Sequence, residues 1–529
     1  MNKSYHSLLF VMGGCLLLSL LYCPPFDMFY DDKEIFRYTG LVIRNGGVPY
    51  RDFFDHKPPL IFFLNAAGLL LGSWGLWLID TFLVLLATLL FFDLAKKYRL
   101  PYPWLAPLFF NLILRNYLFC EGIGMTREYT AIFLLIAFSL ILGKYRYRYF
   151  LLGTLSALTF FMQQDQLIPL LPFLLYALLE DDRISSRPDN RISSGPKNRV
   201  HGLNNPGTRI NNPIPGLANR PPILKRIGWI AAGSLAITLP ILCYFGLHHS
   251  LRIFWEDAFL FNFTWYTKEI HSLADRFRAV KTSLDAMNME LAFLIPATLG
   301  VSSLFLRHNR KGLLAAAQAG LLLSFTSEFI SGKLLSRDFY YYLLNLSASL
   351  SILFFVIVAF SEEIVIRDKI SQRIYGFLLC CSLGYNALQH ATHLSRHNAD
   401  RVTTSPEFKY LNEHRPGNYQ LYVFGTADFN YTYNAFRILA PSRWIYHHFW
   451  FWYDRWDADQ ALLQSIGQDL LQHHTTYIMD FGAAYRFRNP ANYAWWHSFL
   501  EKYYQPVELK DATTTVLWKI KDTPLSQDR

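Results

Sequence analysis

Read from its N-terminus, the chain arranges its apolar positions in long runs rather than in alternation. Stretches of about 15 to 20 such residues recur through the first three quarters, among them Leu8 to Tyr22, Leu76 to Phe92, Ile227 to Leu247 and Tyr341 to Phe360, which is the length a helix needs to cross a bilayer core. The predicted spans are 7–23, 75–95, 102–117, 129–143, 149–162, 166–179, 227–247, 291–306, 313–331, 340–360 and 373–389, about eleven crossings. Pro58 to Leu71 is apolar but short, and reads as an interfacial or re-entrant helix. The last quarter changes character. Gln420 to Phe424, Thr476 to Met479 and Thr513 to Lys519 have strand composition, and Ala461 to Leu471 has helical apolar spacing, so a small α/β or α+β domain is expected there.

Composition agrees with a membrane class: of 529 residues, 52% are hydrophobic and only 17% charged, too greasy for an ordinary soluble chain. No small-residue cleavage site follows the first apolar run, which therefore reads as a retained span rather than a signal peptide. The formal charge of +10 implies no nucleic acid, because the basic residues gather in short loops. With the N-terminus inside, the clusters Lys96/Lys97/Arg99, Lys144/Arg146/Arg148 and Arg307/Arg310/Lys311 all fall in cytoplasmic loops, as the positive-inside rule requires.

Eleven crossings then put residues 26–74, 118–128, 248–290 and the whole C-terminal part outside. The expected architecture is an α-helical polytopic membrane core over 1–389 with an extracytoplasmic domain over 390–529, in the plasma (inner) membrane. Glu180 to Arg226 is rich in Arg, Asn, Ser, Pro and Gly and reads as a disordered cytoplasmic linker. The six cysteines show no metal-ligand spacing and read as packing residues.

The first external loop is the most informative. It runs Tyr30-Asp31-Asp32-Lys33-Glu34-Ile35-Phe36-Arg37-Tyr38, then Gly46-Gly47-Val48-Pro49-Tyr50-Arg51-Asp52-Phe53-Phe54-Asp55-His56-Lys57-Pro58-Pro59-Leu60. Ile35, Tyr38 and Val42 share a helical face and Asn45-Gly46-Gly47 supplies a stop, predicting a short amphipathic helix along the membrane surface. Asp31 with Glu34 three residues on fits a capping box. A carboxylate at this boundary can equally serve as a general base toward an acceptor hydroxyl.

An acid at the end of the first span, a surface helix, the turn Gly-Val-Pro-Tyr-Arg-Asp and the element Asp-His-Lys-Pro-Pro-Leu together resemble the GT-C superfamily of glycosyltransferases. The resemblance is to the family 39 group, with its protein O-mannosyltransferases and bacterial relatives, and to the aminoarabinose transferases that modify lipid A. It covers about the first 180 residues; beyond them it rests on span count, loop placement and an external C-terminal domain. It implies a polyprenyl-phosphate-linked sugar donor and an essential first-loop acid. Counting back from Tyr38-Thr39-Gly40, that acid is Asp32, ranked ahead of Asp31 and Glu34; the family's usual Asp-Glu pair reads Asp32-Lys33 here. It further implies that Lys57 lies near the carrier phosphate, a role suited to a compact ammonium, with Arg51 and His56 supplementing the positive field.

Glu128, at the start of the fourth span, matches the family's second acid. As a charge entering an apolar helix it needs a function or a partner, and Arg127 and Lys57 are the partners considered. Gln163 and Gln164 interrupt apolar sequence beside Asp165, where amides could bind sugar or phosphate or simply form a polar turn. Arg337 and Tyr340 stand where the family has an aromatic approach to the carrier, and an interface belt explains them almost as well.

No phosphate-cradling glycine loop, zinc-protease helix motif or nucleophile elbow occurs. No obligatory metal can be read, and a divalent cation stays an alternative at Glu128. The expected activity is transfer of a sugar to a lipid, glycan or protein acceptor on the extracytoplasmic side. Its rivals are a lipid-linked oligosaccharide ligase or polymerase, a lipid-carrier transporter or flippase, and an inactive member that binds a partner.

Overall fold

The computed structural model describes residues 3–26, 31–100, 102–116, 123–179, 222–266, 311–330, 344, 346–360, 403–425, 430–445, 447, 457, 459–481, 487–509 and 516–522, with isolated helical positions between 373 and 391. The expected span 291–306 and nearly all of the 180–226 linker lie outside these residues; Ile223 to Arg226, assigned to the linker, already belong to a helix.

The chain is mostly helical with one small sheet. Among the described residues three helices are long and apolar enough to cross a membrane: α4 (Gly75–Lys97), α6 (Thr126–Gly143) and α9 (Ile223–Leu247). Around them stand shorter apolar helices: α1 (Lys3–Leu20), α3 (Leu60–Leu70), α5 (Leu105–Leu114), α7 (Arg148–Met162), α8 (Leu171–Leu179), α11 (Lys311–Ile330) and α12 (Leu346–Phe360). With 11 residues, α3 reaches only about 16 Å. It turns back into α4 at Gly72, whose φ of +82° lies in the left-handed region that glycine tolerates.

Beyond its first turn helix α6 is apolar on every face, and 94% of its hydrophobic window is buried, with α4, α7 and α12 as its main neighbours. An all-round apolar helix belongs at the centre of a bundle. By contrast α9 is 17% buried over its window and contacts the bundle along one stripe, mainly on α7. Gly153 and Gly233 make that crossing close: a Cβ at either would sit 1.9 Å from a backbone carbonyl of the facing helix. Ser234 Oγ donates to Gly153 O at 3.0 Å across the same contact. Small residues that let backbones touch are what holds helices together where lipid removes any hydrophobic gain.

The amphipathic helix expected after the first span is α2 (Asp31–Arg44), ended by Gly46 at φ +87°, the left-handed stop of a helix C-terminus. It lies on α3, and Gly40 allows the approach, since a Cβ there would come within 2.8 Å of Ala66 N. After α9 the chain turns into α10 (Leu251–Trp255) and continues as π-type turns over Glu256–Leu260 and Asn262–Tyr266.

The C-terminal region contains α13 (Pro406–His414), β1 (Leu421–Phe424), α14 (Tyr431–Phe436), α15 (Ala461–Gln472), β2 (Tyr477–Asp480), α16 (Pro490–Tyr503), β3 (Tyr504–Pro506) and β4 (Val516–Ile520). Sheet order is β1-β2-β4-β3, with β1 and β2 parallel and the other pairs antiparallel. The crossover from β1 to β2 carries α14 and α15, as a parallel pair requires. Every residue of β1 is buried, and Phe424 stacks on Trp496 of α16 at 4.2 Å, so this α/β unit has its own core.

Candidate functional site

The site is built where α2, the 48–60 loop and the C-terminal region meet. Helix α2 carries Asp32 partly buried and Lys33 and Glu34 buried. Glu34 is taken into a tertiary contact: Asn434 Nδ2 donates to its carboxylate at 2.7 Å and to its carbonyl at 2.9 Å. On the same face, the Tyr38 hydroxyl accepts the Ala440 N–H at 2.8 Å. These bonds seat α14 and the segment after it on α2. The side chain of Asp31, the other half of the expected capping box, lies outside the described residues.

The 48–60 loop is shaped by one unusual backbone position. Tyr50 has φ +68°, a conformation that costs a non-glycine residue about 1–3 kcal/mol, yet its ring is fully buried and its hydroxyl donates to Lys57 O at 2.7 Å. A strained turn thus clamps the Asp55-His56-Lys57 element. From the other side, Asn262 Nδ2 donates to His56 O at 2.7 Å, so the π-turns after α10 hold the same three residues. Asp55, His56 and Lys57 are all buried.

Asp55 is the residue that the sequence displayed inside the motif but assigned no role. Burial pushes its carboxyl up to about 7; the Lys57 charge, the Lys57 N–H at 2.9 Å and the His56 N–H pull it back, and the Asp32 carboxylate adds its repulsion. Asp32 and Asp55 therefore lie within electrostatic reach of each other, with Lys57 against Asp55. Two carboxyls and one ammonium at one end of apolar helices can move a proton and hold an anion. His56 Nδ1 stands 3.7 Å from Asp55 Oδ1.

Arg51 is exposed and pairs with the adjacent Asp52 at 2.8 Å. Burial alone would raise Asp52, but the Arg51 guanidinium and the Val48 N–H hold its carboxyl below the usual range. Arg51 thus has a structural partner of its own.

Glu128 begins α6, and both its oxygens are used: Oε1 pairs with Arg115, and Oε2 accepts Gly124 N–H at 3.0 Å. Arg115, just past α5, pairs at the same time with Asp80 of α4. All three side chains are completely buried, the Tyr22 hydroxyl donates to Arg115 O at 3.0 Å, and Lys33 is within electrostatic reach of Asp80. The network ties α1, α4, α5 and α6 together beneath α2. Neither Asp80 nor Arg115 was assigned a role from sequence; an aspartate within an apolar span is the signal that could have found the pair.

Gln163 is buried and its Oε1 accepts the Thr126 hydroxyl at 2.6 Å, while Gln164 is partly buried in a 3-10 turn beside Asp165. Gln163 thus holds the start of α6, near Glu128. Arg337 and Tyr340 lie outside the described residues.

A second anchor joins the C-terminal region to the loops. Arg443 NH2 pairs with Asp257 at 2.5 Å, Phe54 N–H donates to Arg443 O at 2.7 Å, and Trp444 packs on Phe54 at 4.8 Å. Burial pushes Asp257 up to about 6 against the pull of Arg443. Among the described residues no group of three or more histidine, cysteine or acidic side chains is placed to hold a metal ion. No protein-family model, curated protein or solved structure matches the chain.

Proposed function

We propose that the chain is a multi-pass membrane glycosyltransferase of GT-C type, with about eleven spans, that uses a polyprenyl-phosphate sugar on the extracytoplasmic side. The observation that carries the reading is the cluster of partly buried Asp32, buried Asp55 and buried Lys57 at one end of the apolar helices, roofed by the C-terminal region. It has the parts that displacement at an anomeric carbon needs. An acceptor hydroxyl oxygen attacks that carbon, its proton passes to Asp32, and the bond to the carrier phosphate breaks with its electron pair leaving on the phosphate oxygen. Lys57 balances that charge. Single displacement inverts the anomeric centre.

In this reading Asp55 sets the charge that Lys57 presents. Protonated, it leaves the ammonium for the phosphate; ionised, it competes for it. Glu128, whose oxygens are both engaged within the bundle, positions the helices and does not touch the reacting atoms. A carrier flippase is the competing function, favoured by the buried Asp80–Arg115–Glu128 network, since charges inside a membrane often mark transport paths.

The test is to compare surface glycans and glycolipids of cells carrying the wild-type chain, no chain, or Asp32→Asn. Loss of one monosaccharide from one glycan class in the last two supports transfer. Unchanged glycans in cells lacking the chain would remove the proposal.

A further inference from the structure

A second cleft lies on another side of α2, away from the catalytic cluster. It is bounded by the end of α1, α2, α3 and the start of α4, and encloses about 490 Å³ including its open mouth. Its polar lining is Lys33, Arg37, Asn65 and Ser73, and its aromatic walls are Tyr22 and Trp77; among the described residues no carboxylate lines it. Neither Asp32, Asp55, His56 nor Lys57 contributes. The charge of Lys33 is shared with Asp80, whereas Arg37, partly buried, has no ion-pair partner among the described residues.

We propose that this cleft seats the phosphate headgroup of an anionic bilayer lipid. A guanidinium presents a planar fork that matches two phosphate oxygens, and a described lining with two cations and no carboxylate favours a negatively charged guest. What makes the guest a lipid rather than a soluble phosphate is the rim. Leu70, Leu71 and Trp74, at the α3–α4 turn beside the opening, are 71%, 60% and 42% exposed, an apolar and aromatic margin of the kind found where a protein meets headgroups. The bound lipid would bridge α2 to the α3–α4 hairpin with its chains leaving past Leu69 and Leu76. The inference rests on the chain lying in a bilayer, as the proposed function has it, but not on sugar transfer.

Native mass spectrometry of the detergent-purified full chain, titrated with palmitoyl-oleoyl phosphatidylglycerol or phosphatidylcholine, tests it. The wild type is expected to retain one phosphatidylglycerol in preference to phosphatidylcholine. Arg37→Gln weakens that retention about tenfold or more, Arg37→Lys keeps part of it, and Arg252→Gln, on an exposed side chain elsewhere, changes nothing. Thermal unfolding of each variant separates lost binding from lost folding. Should Arg37→Gln not fold, the wild-type preference and its resistance to excess inorganic phosphate still decide. Equal retention of the two lipids, unchanged retention in folded Arg37→Gln, or displacement by inorganic phosphate overturns the proposal. None of these readouts uses a sugar donor, so failure here leaves the transferase reading standing. Failure of the membrane reading would show separately, as a chain that stays soluble without detergent.

Discussion

Arg115 is the position whose loss should be felt most. Its guanidinium is wholly buried between Asp80 and Glu128, so Arg115→Met keeps bulk but leaves two carboxylates without their shared counter-charge. Breaking one buried pair costs about 3–5 kcal/mol, and Lys33, within electrostatic reach of Asp80, is a single charge against two. For a chain this long, about 2 °C of melting temperature per kcal/mol converts that range into a fall of roughly 6–10 °C. Glu128→Gln behaves differently. The amide oxygen still accepts from Arg115 or Gly124, and Asp80 with Arg115 remains a neutral pair, so the cost is about 1–2 kcal/mol. Differential scanning fluorimetry in detergent, with transfer assayed on the same samples, reads both. The expected order is wild type, then Glu128→Gln with most activity retained, then Arg115→Met far below. A stable Glu128→Gln without activity would refute the positioning role and restore Glu128 as a reacting acid; Arg115→Met as stable as wild type would refute the network.

Three further outcomes follow from the same geometry. Because Asp55 keeps its proton up to about pH 7, ionisation above that sets a negative charge against Lys57, and donor KM should rise from about pH 6 to about pH 8. Asp55→Asn should flatten that rise, and an unaltered slope in the variant would exclude Asp55 as its source. Gly233→Val should lower folded yield sharply, since its Cβ has 1.9 Å to Phe150 O, whereas Gly228→Ala on the same helix, with nothing within 4 Å, should be neutral or slightly stabilising. Arg443→Met should cost about 2–4 kcal/mol and raise hydrogen exchange over 430–445, with partial recovery in the Arg443→Met/Asp257→Leu double variant; unchanged exchange would mean that the anchor contributes nothing.

Much of this architecture could be read from residue order because local signals and burial agreed. The helices α4, α6 and α9 are continuous apolar runs of spanning length, α2 has an apolar face and a glycine stop, and β1 is a short, wholly buried hydrophobic run. Strand β3 escaped because it is three residues long and ends in Pro506, the kind of residue confined to sheet edges. Helices α13 and α16 were not among the expected elements, although Ser405 and Asn489, each followed by proline, cap them in the structure. In the site, the Asp55-His56-Lys57 element was visible as a motif, but its electrostatics depend on contacts far apart in sequence. Asn262 reaches it across 206 positions and Asn434 reaches Glu34 across 400, and no local pattern encodes such pairs. The same holds for Arg115, which lies inside the expected span 102–117 and whose partners Asp80 and Glu128 come from two other helices.

The central claim is transfer from a lipid-linked sugar with Asp32 as the base, and release of the carrier tests it most directly. Purified wild-type chain and Asp32→Asn, each in proteoliposomes with a radiolabelled polyprenyl-phosphate sugar and a membrane-extract acceptor, are followed by chromatography of the lipid products. The account predicts that wild type liberates polyprenyl phosphate in step with labelled acceptor, while folded Asp32→Asn liberates about a hundredth as much or less, the scale of a lost general base. Equal release by the two proteins would contradict the assignment of Asp32, and no release by the wild type across donors of different sugars would contradict the reaction itself.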